Sequence, residues 1–342
     1  MHGQNTHRSG NIALILAGLH QNLTYNVLFR VVDTENNATF LARGAAADVW
    51  KVHDLPLSPN NGQDVPYVSK ILRISPGDFD DDNLDNEDSE ASEDEGEHDE
   101  LATWDAFVKT YNDKVSEWTT LRHPNIVSVY THEEDLNLHV EYCSNGSLRD
   151  FLKTSVGNKV NKIDVISDIL AGLEYLHTLN PPIVHGNINA GKLFVGADGR
   201  TKIGEFGLAA LCYPLAPLAS AITFTGFSRC MSPELLDMDP DDDIPLVSGM
   251  PSDIWALGCT IFEVIVEKLP YFEYTHDIKI QRAILIGEKP GRQDNLLKDD
   301  ACGRKLWPIL ESCWLMDPNE RPSIQRILSL FPGDLSDLAA SI

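Results

Sequence analysis

At 342 residues and 42% hydrophobic, the chain has enough apolar material for one large domain or two fused lobes. Its 52 Asp and Glu against 27 Lys and Arg give a formal net charge of −25. That balance argues against nucleic acid and anionic membranes as partners, since both need basic patches. The six cysteines (Cys143, Cys212, Cys230, Cys259, Cys302 and Cys313) form no CxxC pair and no regular framework. They read as reduced thiols of an intracellular, cytoplasmic protein, with the nucleus as a second compartment.

Residues 1–23 read as a loosely ordered lead. The apolar run Ile12–Leu19 is too short to span a bilayer and lacks the flanks of a signal peptide. Four β-branched, apolar stretches follow: TYNVLFRVV (24–32), TFLARG (39–44), DVWKV (48–52) and PYVSKILRI (66–74). Asn and Gly breaks between them predict a strand meander. Then comes an acidic insert, 77–100. Its residues 78–100 hold fourteen Asp or Glu and no Lys or Arg. Taking these fourteen from −25 leaves −11, so the remainder is still acidic. The insert has almost no apolar content and repels itself, which predicts disorder. Ser89 and Ser92 sit among its carboxylates and are candidate phosphosites, and the insert is suited to recruiting basic partners.

Leu101, Trp104, Phe107, Val108, Tyr111, Val115 and Trp118 recur at spacings of three and four, which predicts a helix over 101–121. His123-Pro124 ends it. IVSVY (126–130) and LNLHVEY (136–142) read as a hairpin. Helical periodicity then marks 147–155, 162–178, 252–268, 276–287 and 304–315, with paired strands within 183–210 and a second acidic loop at Asp237–Asp243. A β-rich front (24–143) and an α-rich back (144–332), followed by a tail (333–342), predict an α+β protein of two lobes with a cleft between them.

The order and spacing of many short motifs resemble a protein kinase domain over roughly 24–332. RGAAADVWK (43–51) is similar to the glycine-rich loop and YVSK (67–70) to the strand ending in the nucleotide lysine. WTTLRHPNIV (118–127) is similar to the end of the small-lobe helix and VEYCSNGSLRDFL (140–152) to the hinge and the next helix. IVHGNINAGKLFV (183–195) stands at the catalytic loop and KIGEFGLAAL (202–211) at the DFG motif. MSPELL (231–236), SDIWALGCTIFEV (252–264) and CWLMDPNERPS (313–323) resemble the APE motif, the buried central helix and the closing helices. These last motifs look most like the tyrosine-kinase-like branch in its fungal form. The resemblance implies a bilobal fold: a small antiparallel β-rich N-lobe with one main helix, and a larger, mainly helical C-lobe.

The resemblance also implies where the phosphoryl-transfer parts should stand. The glycine-rich positions are Ala42, Gly44, Ala47 and Val49, so only the middle glycine is kept, and close phosphate contact should suffer. Lys70 matches the phosphate-binding lysine. Its helix partner, nine residues before His123, is Lys114, which would repel it; Asp113 or Glu117 is an alternative partner. In the catalytic loop HGNINAGK (185–192) the proton-accepting Asp is Asn187, the phosphate-facing Lys is Asn189 and the metal-binding Asn is Lys192. An amide orients a hydroxyl but takes no proton. The DFG Asp is Glu205, a poor but conceivable metal ligand. Lys192 and Glu205 are expected to pair and fill the metal site. Candidate nucleotide contacts are Gly44, Val49, Val68, Lys70, Val140, Glu141, Cys143 and Phe194; Val68 and Phe194 add apolar volume where the purine would lie.

Residues that brace the fold are kept: Trp118, His185, Phe206, Asp253 and the pair Glu234 and Arg321. Gly186 replaces the Arg that receives an activation-loop phosphate, so control of that kind is not expected. The expectation is a catalytically impaired kinase fold, a pseudokinase, acting as scaffold or allosteric regulator of a signalling partner such as an active kinase. ATP is a doubtful ligand and Mg²⁺ an unlikely one. The alternatives are a weak, ATP-dependent Ser/Thr kinase and a nucleotide-binding switch without transfer.

Overall fold

The computed structural model describes residues 38–43, 47–52, 66–72, 97–130, 136–206, 228–236, 249–292 and 301–331; at 43, 97–103, 228 and 301–304 it describes the backbone alone. The strand expected at 24–32, the acidic insert up to residue 96, the loop at 237–243 and Gly44 lie outside the described residues. The chain divides after Ala38 into two compact units, 1–38 and 39–342. The second unit holds all the elements below, except that the first strand begins at Ala38.

Strands β1 (Ala38–Arg43), β2 (Ala47–Val52), β3 (Tyr67–Leu72) and β4 (Asn137–Glu141) form one sheet in that order. β2–β3 and β3–β4 are antiparallel, and Lys70 lies opposite Val49 on one side and Leu138 on the other. β3, paired on both sides, is buried along nearly its whole length. Helix α1 (Glu97–Trp118) buries Phe107, Tyr111, Val115 and Trp118. It starts earlier than its apolar periodicity indicated, so residues 97–100 of the expected insert are helical. The segment 126–130 makes isolated bridges, Ile126 to Ile203 and Val129 to Val140, and no full strand as expected. It is shared between two sheets, so neither ladder extends along it.

The helical part runs α2 (Leu148–Phe151), α3 (Lys162–Thr178), α4 (Met250–Val266), α5 (Asp277–Leu285), α6 (Ala301–Cys313) and α7 (Ile324–Leu330). The two-stranded hairpin β5 (Leu193–Val195) and β6 (Thr201–Ile203) lies between α3 and α4 in sequence. Side-chain caps start α2 (Ser147), α3 (Asn161) and α7 (Ser323). Helix α4 is buried at every position from Ser252 to Ile265. A helix apolar on all sides belongs in the middle of a core. It packs against α3, α6 and the 228–230 turn. Among the described residues no helix is long and apolar enough to cross a membrane.

Candidate active site

The frame of the site is set by Asp253 of α4, which is 1% exposed. Its Oδ2 accepts from the backbone N–H of His185 at 2.7 Å and its Oδ1 from that of Gly186 at 2.8 Å. His177 of α3 lies 2.9 Å from the same Oδ2. A buried carboxylate on a rigid helix thus pins the loop 185–192. Gly186 has φ 76°, a region that costs a side chain strain and glycine nothing. His185 is fully buried. Its Nδ1 accepts from Asn187 N–H at 3.1 Å while Nε2 lies 3.0 Å from Gly204 O, the arrangement of a neutral ring donating from Nε2. Burial pushes its pKa down, in agreement with that role.

The loop is closed by its own amides. Asn189 Nδ2 donates to Asn187 Oδ1 at 2.9 Å and to Asn187 O at 3.1 Å. Asn189 Oδ1 accepts from Gly191 N–H at 3.0 Å. A Cβ at Gly191 would stand 2.9 Å from Arg149 Nη1 and 3.0 Å from Asn189 Oδ1, so a side chain there would displace that guanidinium or that amide. Arg149 in turn donates from Nε and Nη2 to the nearly buried carboxylate of Glu263 at 2.6 and 3.1 Å. The side-chain oxygen of Asn187 thus takes one hydrogen bond from inside the loop.

Glu205 follows β6, in a left-handed conformation at φ 60°. Its Oε1 pairs with Lys70 of β3 and its Oε2 with Lys192, just ahead of β5. The side chains of Lys70, Glu205 and Lys192 are 8, 17 and 29% exposed. Behind Glu205 is an apolar recess lined by Trp118, Val127, Val129, Leu138, Val140 and Phe206, where ion pairs are weakly screened. Burial works to raise the Glu205 pKa, but the two ammonium groups outweigh it and hold the carboxyl well below the usual range. Lys70 is pushed down by burial, and by Lys192, against the pull of Glu205. The three groups together carry one net positive charge.

Lys70 Nζ also lies 5.2 Å from the centre of the Phe194 ring. Lys114 does not face Lys70, as the motif spacing had it. It is half exposed and pairs with Glu117 at 3.1 Å. An ammonium beside the buried face of α1 stays in water when it has no buried carboxylate. Asp113 and Glu117 do not replace it; the carboxylate that meets Lys70 comes from the other end of the site. Trp118 packs edge-on against Phe206, centroids 5.6 Å apart.

The other expected positions are also placed. Val68 and Val140 are buried opposite each other in β3 and β4, with Val49 partly buried in β2. Glu141 is drawn away by Lys202 Nζ at 2.5 Å and by the N–H of Ser128 at 3.3 Å. Lys51 Nζ stands 4.1 Å over the next ring, Tyr142. The buried Cys143 thiol is pushed up to about 12 by burial and by Glu141, so it is not a nucleophile at neutral pH. Arg321 grips Glu234 with two donors at 2.7 Å each and lies over the Trp255 ring at 5.1 Å. Lys202, Arg149 and the Lys70–Glu205 contact were not foreseen. Their partners are 61, 114 and 135 residues away, and no local spacing signals them.

A family model of the protein kinase domain matches residues 98–330. The chain belongs to that family.

The matched part begins in α1, so β1–β3 of this kinase domain fall outside it. The chain is 27% identical over 218 residues to "Serine/threonine-protein kinase flr-4" of Caenorhabditis elegans, which covers 59% of this chain and 38% of that protein. It is 26% identical over 226 residues to human "Mitogen-activated protein kinase kinase kinase 4", covering 65% and 13%. It is 29% identical over 221 residues to mouse "Serine/threonine-protein kinase WNK3", covering 61% and 11%. It thus spans 11 to 38% of the length of these relatives.

Kinase domains imply Mg²⁺ and a nucleoside triphosphate. The residues present do not fit the metal. Both oxygens of Glu205 are engaged by ammonium groups, and one of these, Lys192, is a cation at the position to which the motif resemblance gives a metal ligand. Mg²⁺ demands oxygen ligands in near-ideal octahedral geometry. The nucleotide is a different case, because Lys70 is in place and Val49, Val68, Val140 and Phe194 offer an apolar surface.

Proposed function

We propose that this kinase domain is a pseudokinase: it does not transfer phosphate and acts by binding a protein partner. The observation behind this is the bridge Lys70–Glu205–Lys192, which puts a protein cation and its carboxylate in the part of the site that Mg²⁺ would need. Asn187, with its oxygen held by Asn189, lacks the carboxylate that accepts the substrate hydroxyl proton. The frame around them is intact, and a frame without its reactive groups suits a scaffold or allosteric role. The tyrosine-kinase-like wording of 231–236, 252–264 and 313–323 supports a fungal-type member of that branch. A signalling partner, such as an active kinase, is the natural occupant of its surfaces. The acidic insert is suited to basic segments, with Ser89 and Ser92 as modifiable positions, in an intracellular setting.

Transfer of labelled phosphate from ATP to generic protein substrates tests the reading, in Mg²⁺ and in Mn²⁺. No transfer above a Lys70→Ala control is expected. Metal-dependent transfer that Lys70→Ala abolishes would overturn it. That outcome would favour the second reading, a weak Ser/Thr kinase, which rests on the printed names of the relatives and on a lysine and a carboxylate still meeting at the site.

A further inference from the structure

A surface helix needs one apolar face, yet α5 has apolar residues on two. Ile280, Ala283 and Ile284, at spacings of three and four, are buried and fasten the helix to the core. On the opposite side Ile278 and Leu285 stand two turns apart, and Ile286 follows at the cap. Ile278 is 78% and Ile286 66% exposed. Met316, also exposed, extends the strip: a Cβ at Gly287 would stand 3.8 Å from its Sδ. One exposed apolar side chain is ordinary, but a group of them around one helix marks an interaction surface. The helix is held firmly at both ends. Arg229 donates to the carbonyls of Pro270, Tyr271 and Tyr274 in the loop before it, at 2.8, 3.0 and 2.9 Å. The Tyr271 hydroxyl donates to Glu288 O after it, at 2.9 Å. A surface fixed in advance loses little freedom on binding.

Charge selects the occupant. The chain carries −25, yet residues 268–292 hold five Lys or Arg against three Asp or Glu. Glu288 accepts from the Tyr274 hydroxyl and Lys289 pairs with Glu311, so these charges are matched locally. Lys279 and Arg282 are exposed, and neither has an ion-pair partner among the described residues. Arg282 falls between Ile278 and Leu285 on the outward face, four positions from one and three from the other. Two copies of the chain joined through this face would set like cations together and bring two strongly acidic bodies into contact. We infer that the outward face of α5 docks an acidic, amphipathic helical segment of a partner protein. Its apolar residues seat on Ile278, Leu285, Ile286 and Met316, and its carboxylates meet Lys279 and Arg282. The inference gives the partner of the proposed function a surface and a chemistry.

The test is fluorescence anisotropy of labelled synthetic peptides titrated with the full chain. The probe is a helical peptide of Glu, Ala and Leu, with Leu at spacings of three and four. One control peptide carries Lys in place of Glu, and another Ser in place of Leu. The probe should bind, more weakly as salt is raised, and both controls should bind at least about tenfold more weakly. Ile278→Gln and Arg282→Glu should each weaken the probe by about tenfold, and Arg282→Glu should improve binding of the Lys control. Both side chains are exposed, so the thermal midpoint should stay as it is. Lys153→Glu, on exposed α2, should leave probe binding unchanged. No binding of the probe, equal binding of the Lys control, or no response to Ile278→Gln and Arg282→Glu would each overturn the inference. So would a dimer in sedimentation that Ile278→Gln disperses, since a second copy would then occupy the face. Peptide binding together with phosphate transfer would sink the pseudokinase reading and leave this one. Neither binding nor transfer would do the reverse.

Discussion

Lys192 and Glu205, thirteen positions apart on either side of the β5–β6 hairpin, meet as an ion pair, and Lys70 closes on the other oxygen of the same carboxylate. The kinase domain thus keeps the meeting point of its two halves while changing what meets there. A bridging carboxylate between two buried or half-buried ammonium groups is a structural joint, and it has measurable consequences.

The first is acid sensitivity. The Glu205 pKa in the folded chain lies below the ordinary glutamate value of 4.5. A depressed carboxyl stabilises the fold fully above that ordinary value, and the contribution is lost as pH falls from 4.5 towards the lower folded value. Urea midpoints measured from neutral pH down to acid should therefore fall more steeply for the native chain than for Glu205→Gln. Parallel curves below 4.5 would show that Glu205 is not held by the lysines.

Restoring one catalytic group should not restore catalysis. Asn187→Asp returns the carboxylate but leaves Lys192 and Glu205 in place, and Asn189 still donates to position 187. Labelled-phosphate transfer by this single variant is expected to stay at background. Robust transfer would mean that the metal site is open after all.

Arg321→Ala should destabilise the domain by about 3 kcal/mol or more, because it leaves the Glu234 carboxylate without its two donors. The Arg321 side chain is fully buried and also donates to Leu315 O and Pro251 O, so its loss is felt in three segments. Chemical denaturation followed by fluorescence and by circular dichroism measures it. A change under 1 kcal/mol would contradict the brace.

Trp118→Ala should cost about 3–5 kcal/mol by removing a large buried ring. It should also loosen Phe206, whose edge-on neighbour is lost. Hydrogen exchange should rise at 204–206 along with the lowered midpoint. Unchanged protection there would separate the two rings energetically.

Much of this molecule was legible in one dimension. Period-two and period-3.6 patterns marked the strands and helices, since burial on one face leaves a repeat in the chain. The kinase resemblance then assigned Asn187 and Lys192 to the catalytic loop and Glu205 to the DFG position, and the contact between the last two was expected from their opposite charges at neighbouring motif positions. Short-range geometry governs such features, and the sequence order preserves it. The sequence by itself also determined that amides stand at 187 and 189, where the kinase resemblance implies a carboxylate and a lysine.

Only the tertiary structure decided how the remaining charges are shared. Counting along α1 set Lys114 against Lys70, yet the fold leaves Lys114 in water and brings Glu205 to Lys70 from 135 residues away. The same holds for Arg149 with Glu263 and Lys202 with Glu141. Charge carries no periodicity, so a partner cannot be read from spacing. Desolvation makes an unpaired buried ammonium costly, and that cost falls on whichever carboxylate the packed fold brings within reach.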